Sequence, residues 1–256
     1  MSKTHLVIPD SHAHPNFHND RADWLSQLII DVRPDVVIHI GDSADLPSLS
    51  SYDKGKRSFH GKTYRADINA HLDFQDRLWA PIKARKKRLP RSVFLHGNHE
   101  QRIEKALDLS PELVGTIGFR DLDLEQWYDD IVPYRGTTPG VINVDGIEYA
   151  HYFISGTMGR PAGGLHPAYT LLSKRHTSST CGHLHTADFC MHAAGSGGRI
   201  MASVVGCYQD YDSDWAGESN RLWWRGVLVK RNVENGQYDP QWISIEALRK
   251  EYADVR

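Results

Sequence analysis

The stretch "DVVIHIGDSAD", residues 35–45, joins an unbroken apolar run to a turn that carries two carboxylates, Asp42 and Asp45. A short run of β-branched residues stopped by glycine reads as a strand buried on both faces, the kind found in sheets covered by helices. Working outward, the sequence supplies those helices. Upstream, "HLVIP" (5–9) is a second buried strand and "NDRADWLSQLIIDVRP" (19–34) an amphipathic helix ended by Pro34, which completes a βαβ unit. Downstream, residues 64–89 have apolar positions at helical spacing with an interruption expected at Pro81, and "SVFLHG" (92–97) repeats the strand. From "EQRIEKAL" to "LEQWYDDI" (100–131) the chain reads as helical. "VINVDGIEYAHYF" (141–153) has a DG turn between alternating apolar residues and reads as a hairpin. A helix at "HPAYTLLSKRH" (166–176) leads into "TSSTCGHLH" (177–185). The remainder offers strands at "RIMASVVGCY" (199–208), "RGVLVKRNV" (225–233) and "QWISIEAL" (241–248), with an NG turn at 235–236. Alternating βα units followed by hairpins give an α/β class with helices packed on mixed sheets, expected as a single domain over residues 1–256.

Composition narrows the function classes. A chain of 256 residues with 40% hydrophobic content can bury one sizeable core. A formal net charge of −2 provides no global field toward nucleic acid or anionic membrane. Cys181, Cys190 and Cys207 are odd in number and lack CxxC spacing, which excludes a disulfide framework and a thiolate zinc site and fits a reducing cytoplasm. No apolar stretch has the length of a signal peptide or membrane span, so the expectation is a cytoplasmic protein with no membrane partner. Histidine is unusually common, with 15 copies, many of them where predicted strands run out into loops.

Five short stretches each place Asp, His or Asn just after an apolar strand: "PDSHAH" (9–14), "GDSAD" (41–45), "GNHE" (97–100), "AHYF" (150–153) and "GHLH" (182–185). In a layered α/β fold strand ends share a rim, so ligands distant in sequence can converge there. In "DSH" and "HLH" the polar residues are two apart and project to one side of an extended chain. Glycine precedes Asp42, Asn98 and His183, allowing close backbone approach at a crowded centre. Carboxylate, imidazole and amide donors without thiolate suit divalent ions such as Mn, Fe, Zn or Ni. Two ions roughly 3.5–4 Å apart would account for so many donors and could clamp an in-line phosphoryl displacement, with Asp42 the natural bridge.

In this order, DxH, GDxxD, GNHE, a lone His and GHxH, the chain resembles the calcineurin-like metallophosphoesterases, including small stand-alone members of the kind also carried by phages. The resemblance spans residues 10–185. It implies a four-layer αββα sandwich of mixed sheets with a dimetal site at the strand ends. One ion would be held by Asp10, His12, Asp42 and His185, the other by Asp42, Asn98, His151 and His183, with Mn the first expectation. It further implies that Asp45 hydrogen-bonds His99, holding that imidazole toward the leaving oxygen as general acid or charge stabiliser while a bridging hydroxide attacks phosphorus. His151 rests on strand context, since His166 and His176 carry no less spacing information. His14, His39 and His96 read as structural or supporting histidines, and Glu100 either assists the site from behind the ligands or, slightly preferred, is an acid at a helix start, favoured by the dipole.

The expected partner is a phosphate ester. The loop "SSYDKGKRSFHGKTYR" (50–65) interleaves basic and aromatic residues and could receive a nucleotide or nucleic-acid end, with Arg57 as a contact. The plain alternative is a solvated surface loop. "GTMGRPAGGLHPAY" (156–169) could fold over the site with Arg160 gripping phosphate, or be a flexible connection. "KARKKRLPR" (83–91) reads as a helix end complementing the dipole. In the family, protein phosphatases have an arginine directly after GDxxD; here Leu46 stands there, which argues against a phosphoprotein substrate. Phosphomonoesters or nucleic-acid and nucleotide phosphates are favoured, on the basic aromatic loop alone. A phosphodiesterase or nuclease is the alternative within the enzymes, and a non-catalytic scaffold retaining the fold the alternative outside them.

Overall fold

The computed structural model describes residues 2–85, 87–195 and 197–254, so Lys86 of the basic run 83–91 lies outside the described residues. The buried apolar runs do become strands. β1 (Lys3–Ile8) is followed by α1 (Asp20–Val32), β2 (Val36–His39), α2 (Tyr64–Ala84), β3 (Arg91–Leu95), α3 (Arg102–Leu109) and β4 (Asp130–Val132). β1 to β4 run parallel. The second half contributes the hairpin β5 (Ile142–Val144) and β6 (Ile147–Tyr149), then α4 (Pro167–Arg175), β7 (Ser179–Cys181), β8 (Ala187–Ala193) and β9 (Arg199–Val205). It closes with β10 (Gly226–Glu234), β11 (Gln237–Ser244) and α5 (Ile245–Tyr252).

Two mixed sheets result, one ordered β11-β10-β1-β2-β3-β4 and the other β5-β6-β7-β9-β8. Side-chain alternation sorts their residues between layers. In β1, Leu6 and Ile8 join α1, α2 and α5 in one core, whereas Val7 packs with Ile38, Val93, Ile147 and Val205 in the core between the sheets. A third cluster packs Ala168, Leu171 and Leu172 of α4 on Cys181, Ala202 and Val204. The layers are therefore helix, sheet, sheet, helix. Among the described residues no helix is long and apolar enough to cross a membrane.

Four local expectations need correction. α2 continues through Pro81 without interruption. The proline lies in the last turn on an exposed position, where the one hydrogen bond it forfeits is replaceable by water. The stretch 100–131 is helical only over Arg102–Leu109, beyond which short 3-10 turns lead into β4 at the sheet edge. "QWISIEAL" is half strand and half helix: Ser244 accepts a hydrogen bond from the Ala247 N–H at 3.2 Å and so caps α5, which buries Ile245, Leu248 and Tyr252. β8 was not anticipated, because its half-exposed sequence "ADFCMHA" lacks clean alternation.

Candidate metal centre

β1, β2, β3, β6 and β7 all end at one rim, and the loops that follow them bring Asp10, Asp42, Asn98, His151 and His183 together there. Backbone constraint delivers these side chains. His12, Asp42, His183 and His185 have φ between 42° and 68°, the left-handed region that non-glycine residues rarely occupy. The glycines flanking them are required by contact rather than by conformation alone. A Cβ on Gly97 would stand 2.1 Å from Asp42 Oδ1, and one on Gly182 would stand 2.4 Å from Asp10 Oδ1.

Three groups of donor atoms lie within 4.8 Å of one another: Asp10, His12 and His185; Asp42, His151 and His183; and His12, Asp42 and His99. Their outer atoms are already engaged and their inner atoms face inward. His151 Nδ1 donates to the Ile40 carbonyl at 2.9 Å, which leaves Nε2 beside Asn98 Oδ1 (2.9 Å), His183 Nδ1 (3.2 Å) and Asp42 Oδ2 (3.3 Å). His12 Nδ1 donates to Asp45 Oδ1 at 3.1 Å, which turns its Nε2 toward His185 Nε2, 3.1 Å away. Asp10 Oδ2 is 3.2 Å from His185 Nε2, while Asp10 Oδ1 is buried with no hydrogen-bond partner among the described residues. Imidazoles oriented by carbonyl and carboxylate partners, with lone pairs and an unpartnered carboxylate oxygen converging, form the arrangement a divalent cation satisfies. The donor set is nitrogen and oxygen only, and it fits two ions with Asp42 within reach of both groups.

The electrostatics agree. Burial alone would raise Asp42, but the His151 and His99 imidazoles outweigh it and hold the carboxyl well below the usual range. Asp45 is likewise held low, because hydrogen bonds from His12 and His99 overcome its burial. Burial drives His183 down to about 4, with His151 adding to the effect. His151 is the exception: burial would lower it, but Asp42, Asp10 and the Ile40 carbonyl together lift it to about 9, so near neutral pH its Nε2 carries a proton that a bound cation would displace.

His99 sits where the rim opens. Its Nδ1 donates to the Asp45 carbonyl oxygen at 2.7 Å and lies 3.3 Å from Asp45 Oδ1, so the backbone of Asp45 holds the imidazole more closely than its carboxylate does. Arg102 Nη2 donates to His99 Nε2 at 3.0 Å, and Arg102 Nη1 to the Asp45 carbonyl at 2.8 Å. The cleft beside His99 is lined by Lys62 and His60 from the 50–65 loop, not by Arg57, which is exposed. Arg160 is exposed as well and does not line this cleft.

Several supporting residues had no role, or for Glu100 only the less favoured one, in the sequence reading. Glu100 does not act as a helix-start acid: it is fully buried two residues before α3 and accepts hydrogen bonds from the N–H groups of Gly97, Asp42, Ser43 and Ala44 at 2.8–3.2 Å. It thus clamps the two motif loops to each other. Arg21, fully buried on α1, donates to the carbonyls of Ser11 (2.9 Å) and Tyr208 (3.1 Å) and pairs with Asp210 (3.2 Å). Tyr211 donates its hydroxyl proton to the His12 carbonyl at 2.7 Å. A buried arginine on an amphipathic helix was the one signal available for this. His39 is buried beneath the site, with Nε2 3.0 Å from Ser11 Oγ and its ring on Phe94, as a structural histidine should be.

Across residues 4–239 the chain matches the calcineurin-like phosphoesterase profile. It is 27% identical over 206 residues to the gene 54 proteins of the Mycobacterium phages L5 and D29, covering 78% of this chain and 75% of each relative. A solved Thermus thermophilus protein overlaps 94% of this chain and 99% of its own at 10% identity with a TM-score of 0.39, a likeness that carries no further argument.

Proposed function

The chain belongs to the calcineurin-like phosphoesterase family, and on that premise we propose that it hydrolyses phosphomonoesters at a two-ion centre. The observation that supports this most is the pair of donor groups, Asp10–His12–His185 and Asp42–His151–His183, with Asp42 of the second within 4.8 Å of His12 in the first. In this reading Asn98 completes the second group and Asp42 bridges. When bound, two divalent ions supply a nucleophile near neutral pH and neutralise charge on both oxygens of an in-line displacement. The protein's own groups do the rest. Asp45 orients His12 through its carboxylate and His99 through its carbonyl. His99 is read as the general acid or charge stabiliser at the leaving oxygen; its Nε2 accepts from Arg102 here, so that guanidinium would give the nitrogen up to take part or itself supply the positive charge beside the leaving oxygen. A monoester dianion offers that guanidinium one more anionic oxygen than a diester does, which favours the monoester. Residues 1–256 act as one unit here, since β10 and β11 complete the sheet that begins with β1.

Mn-supplemented protein assayed in parallel on a phosphomonoester, a linear diester and a cyclic nucleotide should turn over the monoester fastest. A faster diester would transfer the assignment to phosphodiesterase. Uptake of less than about one equivalent of Mn, Fe, Zn or Ni, together with no turnover, would leave only a scaffold.

A further inference from the structure

The segment between β9 and β10 had no role in the motifs, yet it supplies the rings nearest the centre. Trp224 N–H donates to the His185 carbonyl at 2.9 Å, which fixes the returning chain against a metal-facing histidine. The Trp223 ring then meets the His185 ring edge-on, with centroids 4.4 Å apart, and Trp215 lies 5.7 Å from Trp223. The loop is held in this shape by Asn220, whose amide donates to Ser213 O (3.0 Å) and Gly217 O (2.9 Å) and whose oxygen accepts from the Ser213 N–H (3.0 Å). Trp215 is nonetheless 77% exposed. A tryptophan held out of a braced loop leaves a large apolar face in water, a cost that a planar ligand would remove.

That face lines a cleft of about 560 Å³ into which Asp45 and His99 open, within the volume range of small-molecule sites. Phe17 and Tyr211 line it too, stacked on each other at 3.8 Å and 5°. The remaining wall is acidic, with Asp45, Asp53, Asp67, Asp212 and Asp214 against Lys62 and Arg102. Lys62 is itself paired with Asp53 at 2.7 Å. Such a wall repels a polyanionic strand but tolerates a ligand whose only phosphate sits at the metal end, and its carboxylates can accept from sugar hydroxyls.

We propose that this aromatic and acidic cleft selects mononucleotides, with Trp215 as the surface on which the base stacks. The proposal rests on the phosphoesterase reading for the position of the phosphate, and on the cleft alone for the base. It replaces the nucleic-acid end that the basic loop suggested, because Arg57 does not line the cleft.

The test compares adenosine 5′-monophosphate with ribose 5-phosphate, which differ only in the base, and with a 5′-phosphorylated oligonucleotide. The Mn-loaded parent should prefer the mononucleotide to both. Trp215→Ala should lower its kcat/KM relative to ribose 5-phosphate by about 5- to 150-fold, the range that base–aromatic stacking supplies, and Trp215→Phe should restore most of it. Titration of the mononucleotide while following tryptophan fluorescence provides a readout without turnover: the parent should be quenched saturably, Trp215→Ala much less. Equal use of both small esters, or a preference ratio and quenching that ignore Trp215→Ala, would overturn the base platform. An oligonucleotide equal to the mononucleotide would overturn the size selection. If no ester is turned over while the mononucleotide still quenches the parent through Trp215, the phosphoesterase reading fails and the base platform stands.

Discussion

Buried polar side chains gather at the sheet rim and also between the sheets. Between the sheets, Lys230 of β10 is fully enclosed, with Nζ hydrogen-bonded to Thr180 Oγ1 and lying 4.1 Å from the Tyr238 ring centroid and 4.7 Å from that of Tyr149. His5 links Tyr149 OH at 2.8 Å to Asp145 Oδ2 at 2.9 Å, and Tyr238 OH meets Ser203 Oγ at 2.7 Å. Every group in this network has a partner. At the rim, by contrast, Asp10 Oδ1 has none among the described residues, and imidazole nitrogens point at one another. Burial of charge is therefore shared by both places. Of these two clusters, among the described residues, the rim alone has convergent acceptors without a donor, and they mark it as the place that takes something in.

The sharpest break of that contrast is Asp42→Asn, which removes the carboxylate that belongs to one donor group and lies within 4.8 Å of His12 in the other. Metal content should fall and kcat with it, by at least about 10³-fold, while the apo fold persists in circular dichroism. Next, His99→Ala should keep its metal and lose about 10²- to 10⁴-fold in kcat, less for esters with good leaving groups. Loss of metal as severe as in Asp42→Asn would move His99 into the ligand set. Gly182→Ala pushes a methyl group into Asp10 without altering any donor, and a metal titration should show affinity reduced by about 10- to 100-fold.

The smallest effect is expected between the sheets. Burial holds Lys230 well below its ordinary 10.5, so at a pH between the folded and unfolded values unfolding takes up a proton. The native state is thereby penalised at all pH values below the unfolded value, and the penalty shrinks as pH rises toward it. Lys230→Met should raise Tm by about 2–4 °C near neutral pH, the shift that roughly 1 kcal/mol gives a chain of this size, with kcat unchanged. Thermal melts should show the gain fading toward about pH 10. A gain that grew with pH would mean that the amine is charged in the fold.

The rim was legible in the sequence because its donors follow apolar strands directly and its glycines sit where side chains would collide. Gly97 and Gly182 were readable as close approaches before any contact was known. The layers were legible as well, since β1 and β2 carry their burial in composition. Glu100 was misread because its partners are backbone N–H groups of a loop more than fifty residues away, which no local pattern encodes. The loop carrying Trp215 was missed for a related reason: Asn220 shapes it with one side chain, leaving no periodicity to read. Lys230 looks like any strand lysine on a solvent face until β7 and β11 cover it.

β1 and its neighbour β10 are far apart in the chain, yet His5 lies opposite Lys230 and Val7 opposite Leu228 in the finished sheet. A ribosome has therefore made residues 9–225 before one side of β1 finds its partner. Until then β1 offers an open, apolar edge to whatever else is present. Assembly is committed late, through contacts of very long sequence separation, and slow maturation after synthesis follows from the order of the strands alone.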